Sequence, residues 1–414
     1  MRTQIITGLD IGSNKIRVAV AQYTPEDNSI QIIGAAENPS NGIINGNIVS
    51  VEDVVSSISG TLEKVERVIG MPIERAIIGI SSPNIKFINS QGVIAVAKAD
   101  GEIKEEDIAR VIEAAQAVAT PPNYEILHVI PKTYKVDNQE DIKDPIGMTG
   151  VRLEVSAQII MAKSEQIKTI TKCIYRTGVD VKDMVFSVLA DAEAVLNREQ
   201  RELGVVLVNI GSSTTGVAIF EEGDPIHTAI LPIGSSHITN DLAIGLRTSI
   251  SVAEKIKIQE ASCVIDNIRK REEINLSVFE EDENTAKRNM VSKLEIAKIT
   301  NARVEEIFDL VGKELKKVDR FGMLPAGVVL TGGGAKLDGM VEQAKEQLKL
   351  PVFLAKINKV NTIVDKINDL TYSNVLGLIL WGYKNKSASG WNMSGLLKSN
   401  IPSKLKGFFK SLMP

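Results

Sequence analysis

Apolar positions fall into two alternating patterns along this chain. Short apolar runs of strand type come at 4–10, 15–22 and 30–37. Ser50-Val51-Glu52-Asp53 then opens a helical pattern to about Ile69, with Val54, Val55, Ile58, Leu62, Val65 and Ile69 at helical spacing. Ile73 to Ser81 reads as a buried strand, so the order is βββαβ. Residues 83–162 do not continue it. They predict strands near 85–97, 126–136 and 152–162 and a helix near 104–119, punctuated by Pro83, Pro121, Pro122 and Pro145. That pattern fits a small α+β domain inserted into the first half.

Beyond 163 the pattern predicts a helix at 164–177, a strand at 181–188 and a helix at 191–198. Two short strands, Val205 to Ile210 and Gly216 to Phe220, follow around a small-residue turn. A glycine turn at Gly234-Ser235-Ser236 leads into a helix over 236–246. Residues 261–320 read as a smaller lobe, with Glu280-Glu281-Asp282-Glu283 as a solvated loop and a long helix from near Lys287 to Lys317. The strand at Val328 to Leu330 runs into a glycine loop, then come a helix (337–348), a strand (352–355) and a last helix (371–384).

Two turns carry candidate chemistry. Asp10-Ile11-Gly12-Ser13-Asn14-Lys15 and Asn209-Ile210-Gly211-Ser212-Ser213-Thr214-Thr215 share one layout: strand, acid or amide, Ile-Gly, hydroxyls or amides, strand. Such turns bring backbone N–H groups and hydroxyls close to an anion. Two copies point to an internal duplication, and two facing hairpins can clamp a polyphosphate from both sides. A third piece, Thr331-Gly332-Gly333-Gly334, is a glycine loop against which a flat base can lie.

Composition narrows the classes. A chain of 414 residues with 43% apolar and 24% charged residues is globular and too long for one core. The net charge of −4 and 4% aromatics give no push toward nucleic acid and no stacking platform for bases. Two cysteines and three histidines make no disulfide framework and no zinc pattern. No apolar run reaches the ~18 residues that span a bilayer.

These motifs resemble an actin-like ATPase, and the insert sharpens the resemblance to the FtsA family, actin-like bacterial cell-division proteins. It is carried by Ile126-Leu127-His128-Val129-Ile130-Pro131, by Tyr134-Lys135-Val136-Asp137 and by Asp144 to Val155, together with Gly234 to Ala243 and Ala253-Glu254-Lys255-Ile256-Lys257. The resemblance implies an α/β, duplicated, ribonuclease H-like fold. Its expected parts are a first-half core (1–82, joined by 371–384), the insert (83–162), a second-half nucleotide-binding core (163–260), its small lobe (261–320) and the completed second-half core (321–370). A flexible linker (385–402) and a membrane helix (403–414) follow.

The resemblance also implies ATP and Mg²⁺. Gly12, Ser13, Asn14 and Lys15 would hold phosphates from one side, and Gly211, Ser212, Ser213, Thr214 and Thr215 from the other, with Gly234 behind. Glu254 and Lys257, three apart on one helix face, would meet the ribose and base, and Gly332, Gly333 and Gly334 would floor the adenine pocket. Asp10 and Asn209 would hold Mg²⁺ through water. The family usually carries Asp where Asn209 stands, and glycines where Ser212, Ser213 and Ser235 stand. This departure implies ATP binding with weak or absent hydrolysis, names no catalytic base and leaves enzyme status open. Asn209→Asp is expected to raise any ATPase rate.

The last segment has its own logic. Leu405, Phe408, Phe409 and Leu412 form one helical stripe with Lys404, Lys406 and Lys410 beside it. A segment of this length is too short to span a bilayer and suits its interface. Implied partners are the C-terminal peptide of the tubulin-like FtsZ at about 261–320, a second copy in a filament, anionic lipid and later division proteins. The implied location is the cytoplasmic face of the membrane at the division site. A PilM-like pilus adaptor and a sugar-kinase relative are the alternatives.

Overall fold

The structure is a computed structural model that describes residues 4–26, 29–96, 101–117, 120–265, 268, 271–279, 290–357, 360–362 and 364–387, without the side chains of 385–387. The expected membrane helix 403–414, the linker beyond 387 and the acidic run 280–283 lie outside the described residues.

The chain opens with a meander of β1 (Gln4–Ile11), β2 (Lys15–Thr24) and β3 (Ser29–Pro39). A small ribbon, β4 (Ile43–Ile44) with β5 (Asn47–Ile48), turns through Asn45 and Gly46, both at positive φ as an Asn-Gly hairpin requires. Helix α1 (Val51–Ile69) starts where the Ser50 hydroxyl accepts from Asp53 N, and it stops at Gly70 in the left-handed region. Its Val54, Ile58, Leu62 and Val65 stripe is buried on the sheet. Strand β6 (Arg75–Ile80) then pairs parallel to β1.

The insert is a compact unit over Lys86–Ile167, joined by the end of the last helix from Trp381. Its elements are β7 (Lys86–Ala95), α2 (Glu105–Gln116), β8 (Tyr124–Val136), β9 (Gln139–Ile142) and β10 (Arg152–Lys163), in the sheet order β7-β10-β8-β9. Ile108, Val111, Ile112 and Ala115 of α2 bury against Val129, Leu153, Val155 and Ile159. On this unit His128 is buried, lies 5.1 Å from the Trp381 ring, and is pushed down to about 4 by burial, hence neutral at pH 7.

The chain returns through α3 (Ser164–Tyr175), β11 (Asp180–Phe186), α4 (Ser187–Val195) and α5 (Arg198–Leu203). The expected helix at 191–198 starts one turn earlier and ends sooner. Asn197 forms a reciprocal cap with Gln200, so a new helix begins there. Next come β12 (Val205–Ile210), β13 (Thr215–Glu221), β14 (Asp224–Leu231), α6 (Ser235–Gly245) and α7 (Ile250–Gln259). The apolar pattern gave no sign of β14, because Pro225 and His227 interrupt it; an edge strand tolerates both.

The small lobe contributes β15 (Glu273–Asn275), β16 (Met290–Ser292) and α8 (Lys293–Lys316). The long helix therefore begins at Lys293, where the Ser292 hydroxyl caps Leu294 N. The chain ends with β17 (Val328–Thr331), α9 (Met340–Leu348), β18 (Val352–Leu354), β19 (Asn361–Thr362) and α10 (Ser373–Ser387). Gly339, at φ +75°, delays α9 to Met340.

The duplication is explicit in the sheets. The first sheet has the order β11-β6-β1-β2-β3-β19 and the second β18-β17-β12-β13-β14. In each, three antiparallel strands lead to two parallel ones. Both sheets lie in one compact unit, Met1–Ile85 with Lys168–Leu380.

Helix α10 crosses α4 at the closest possible approach. A Cβ on Gly377 would lie 1.8 Å from the Ala190 carbonyl oxygen, and one on Gly8 of β1 would lie 2.6 Å from the Val375 oxygen. Gly377→Ala is expected to lower the unfolding free energy by about 1–3 kcal/mol, the scale of overpacking a dense core. Urea unfolding at 25 °C checks it; an unchanged midpoint contradicts this account of the crossing.

Candidate functional site

The two small-residue turns are the loops β1–β2 and β12–β13, so each sits at the same end of its sheet. They meet: the Ser213 hydroxyl donates to the Ser13 hydroxyl at 2.6 Å. The second turn closes on itself through Gly211 N, which donates to Thr214 O at 2.9 Å. The start of α6 lies behind it, with Ser235 N and Ser236 N donating to the Gly211 and Ser212 oxygens at 2.9 and 2.8 Å. Gly234 permits that contact, since a Cβ there would come 2.5 Å from Ser212 O. The positive end of the α6 dipole thus backs the turn.

Other expected residues fall differently. Asn14 is exposed at the first turn. Thr215 is fully buried, and its hydroxyl donates to Ile233 O at 2.8 Å, so it does not offer a donor to the cleft. Lys15 does not stand free as a point charge but pairs with Glu37, which Arg17 also contacts at 3.2 Å. Burial alone would raise the Glu37 carboxyl, but these two cations hold it below its ordinary range.

Glu254 and Lys257 share one face of α7. The Lys257 ammonium donates to Glu254 Oε2 at 2.7 Å, to the Thr239 hydroxyl at 2.9 Å and to Ser235 O at 3.3 Å. Lys257 is buried and Glu254 partly exposed, so the pair is anchored in the α6–α7 contact with one edge to solvent. In the glycine loop, a Cβ on Gly332 would lie 2.3 Å from Asn209 Oδ1, and one on Gly334 would meet Ile210 at 2.4 Å. Those two glycines serve packing on β12. Gly333 alone of the three is exposed, and a Cβ there would meet only the Thr371 methyl, at 3.4 Å. Next to Thr371, the Tyr372 ring lies 5.6 Å from the Arg17 guanidinium.

Asp10 lies on β1 and Asn209 on β12, as the sequence places them. The residue that reasoning missed is Asp191 on α4. It is 1% exposed, its Oδ1 accepts from the Ser373 hydroxyl at 2.7 Å, and its Oδ2 accepts from the Asn209 amide and, at 3.4 Å, from the Asn374 amide. Burial pushes Asp191 up to about 7 against these hydrogen bonds, with the Asp10 charge adding to the rise. Burial also pushes Asp10 up to about 6, against the pull of Arg17. The signal was available: Asp191 is an acid inside the small apolar run Val188-Leu189-Ala190-Asp191-Ala192. An acid introduced by Asn209→Asp would stand directly against Asp191.

Comparison with known proteins places the chain. Residues 206–377 match the family described as cell division protein FtsA, and residues 83–161 match the SHS2 domain inserted in FTSA. The cell division protein FtsA of Pseudomonas aeruginosa is 37% identical over 392 residues, which cover 94% of this chain and 92% of that protein. This chain belongs to the FtsA family. Among solved structures, a chain of the PilM-PilN type IV pilus biogenesis complex matches with TM-score 0.65 at 14% identity, over 91% of this chain and 98% of that one. MreB5 of Spiroplasma citri bound to ADP matches with TM-score 0.55 at 14% identity, over 93% and 99%. At such identities these likenesses show the fold, which is actin-like. The FtsA-family membership, not the pilus or kinase alternative, is what sequence similarity supports.

The two raised acids set a pH dependence. A carboxyl whose folded pKa is raised keeps its proton when the unfolded chain has lost it. Its contribution to stability is therefore full below the ordinary value of 3.8 and is lost as pH rises through about 6 to 7. The unfolding free energy of the protein without nucleotide is expected to fall from about pH 4 to 7, at up to ~1.4 kcal/mol per pH unit for each retained proton, and to level off above that. Asp191→Asn should make that fall shallower. Parallel curves for variant and wild type would contradict the role of Asp191 in it.

Proposed function

We propose that this FtsA-family chain binds ATP with Mg²⁺ in the cleft between its two halves, forms filaments and tethers FtsZ to the cytoplasmic face of the membrane at the division site. The observation that carries the reading is the contact of Ser13 with Ser213, which brings two matching anion-type turns face to face. Gly12, Ser13 and Asn14 would hold phosphates from one side and Gly211 to Thr214 from the other, with the α6 dipole behind them. Lys15 would join by exchanging Glu37 for a phosphate oxygen. Glu254 and Lys257 border the site from α7, and Gly333 offers bare backbone to the base.

The oxygen donors near the turns suit a hydrated Mg²⁺, which keeps several waters and binds through one or two acids. Asp10 and Asn209 are the residues that would hold its water shell. The cation, when bound, neutralises the triphosphate. With an amide at Asn209, hydrolysis is weak or absent in this reading. That MreB5 shares the fold and was solved with ADP supports the choice of nucleotide.

Among the described residues no helix is long and apolar enough to cross a membrane. The reading gives the attachment to Leu405, Phe408, Phe409 and Leu412, with Lys404, Lys406 and Lys410 toward anionic headgroups. Each Lys adds about 1 kcal/mol near anionic lipid, so one tail is a marginal anchor. Many tails on one filament bind far more tightly, because later contacts are intramolecular. Nucleotide that favours the filament thereby favours the membrane. The FtsZ C-terminal peptide would meet the 261–320 lobe, and later division proteins join the assembly.

Co-sedimentation with phosphatidylglycerol-containing vesicles tests the reading. The full chain with ATP and Mg²⁺ should pellet with vesicles, and deletion of residues 403–414 should leave it in the supernatant with ATP affinity unchanged. Vesicle binding that survives the deletion, or a full chain that binds no ATP, contradicts it.

A further inference from the structure

The site's second carboxylate stands on a different element from the turns. We propose that Asp191, from α4, is a positioning residue that acts through Asn209: it fixes the orientation of the Asn209 amide toward a Mg²⁺-triphosphate. This rests on the nucleotide reading above.

The geometry leaves one arrangement. Asp191 accepts from three donors: the Ser373 hydroxyl, the Asn209 amide and the Asn374 amide. The nitrogen of Asn209 must therefore face Asp191, and its oxygen must face the other way. That oxygen lies where a Cβ on Gly332 would be only 2.3 Å distant, so it points to the glycine loop. Asn209 thus presents an oxygen to the loop and turns its two N–H donors toward α4. A hydrated cation needs an acceptor oxygen, and a flipped amide would offer it a donor instead.

The residues around Asp191 are themselves tightly placed. Asn374 is held in place by its second bond, to Ser187 O at 2.9 Å. Ser187, one helical turn before Asp191, keeps a buried hydroxyl with no hydrogen-bond partner among the described residues. Both lie against Gly79 of β6, where a Cβ would meet Asn374 Oδ1 at 2.6 Å and Ser187 Oγ at 2.9 Å. Asp191 is therefore the acceptor on which α4, β12 and α10 converge.

Exchanging the two side chains tests this. In the double variant Asp191→Asn with Asn209→Asp, Asn at 191 keeps an oxygen for Ser373 and turns its nitrogen to Asp at 209. The other oxygen of Asp at 209 still faces Gly332, and only the long Asn374 contact is lost. ATP affinity is measured by calorimetry with Mg²⁺ and again with EDTA, and the fold of each variant is followed by urea unfolding. Asp191→Asn alone should weaken ATP binding in Mg²⁺ by roughly tenfold and shrink the advantage of Mg²⁺ over EDTA. Asn209→Asp alone, with two carboxylates in contact, should also weaken it.

The double variant should recover affinity to within about threefold of wild type, together with the Mg²⁺ advantage. A double variant no better than either single one overturns the proposal. If Asp191→Asn alone does not fold, the exchanged pair still decides, since it must both fold and bind. A wild type that binds no ATP defeats the nucleotide reading instead, which separates the two failures.

Discussion

A single buried carboxylate holds together the parts of this molecule that the sequence keeps far apart. Asp191 takes hydrogen bonds from Ser373, Asn209 and Asn374, on α10, β12 and α10 again. A buried polar group is unfavourable unless it is hydrogen-bonded, and these donors supply that at Asp191. That requirement ties the second-half hairpin to the helix that lies on the first-half sheet. Small residues make the arrangement possible: Gly8, Gly79 and Gly377 let α10 and α4 approach the strands and each other without a side chain between them. From Trp381 onward the same helix belongs to the inserted unit, where Trp381 packs against His128.

Around that junction the two halves repeat one sheet order but not one chemistry. The first turn stands beside charge, with Asp10, Lys15, Arg17 and Glu37 in mutual contact or influence. The second turn is neutral, made of Gly211, Ser212, Ser213 and Thr214 and backed by the start of α6. The second turn carries no charged group of its own; backbone donors, the start of α6 and, behind Asn209, Asp191 surround it. A duplicated scaffold thus brings two turns of different chemistry together.

The parts of the fold legible in the sequence are those set by local periodicity. The β1–β2–β3 meander, α1 with its Ser50 cap, and the β12–β13 hairpin follow from apolar spacing and turn residues. The strand β14 was not legible, since Pro225 and His227 break its pattern and only its place at a sheet edge makes them acceptable. The break between α4 and α5 depends on a reciprocal cap at Asn197 that competes with an otherwise continuous helical pattern. At the site, the two turns were readable as motifs, and the Glu254–Lys257 pair from its spacing. The burial of Thr215, the Lys15–Glu37 pair and the packing role of Gly332 and Gly334 were not, because each is set by a strand or loop distant in the chain. Asp191 is the sharpest case: its partners lie on β12 and α10, and nothing in its local run names them.

The account's central claim is that the turns at Gly12 and Gly211 grip one triphosphate. A crystal structure of the full chain grown with a non-hydrolysable ATP analogue and Mg²⁺ tests it most directly. The account predicts phosphates between the two turns, with the Ser13 and Ser213 hydroxyls drawn apart from their 2.6 Å contact onto phosphate oxygens and the Ala190–Gly377 crossing unchanged. Nucleotide bound elsewhere, with the Ser13–Ser213 contact intact, would contradict it.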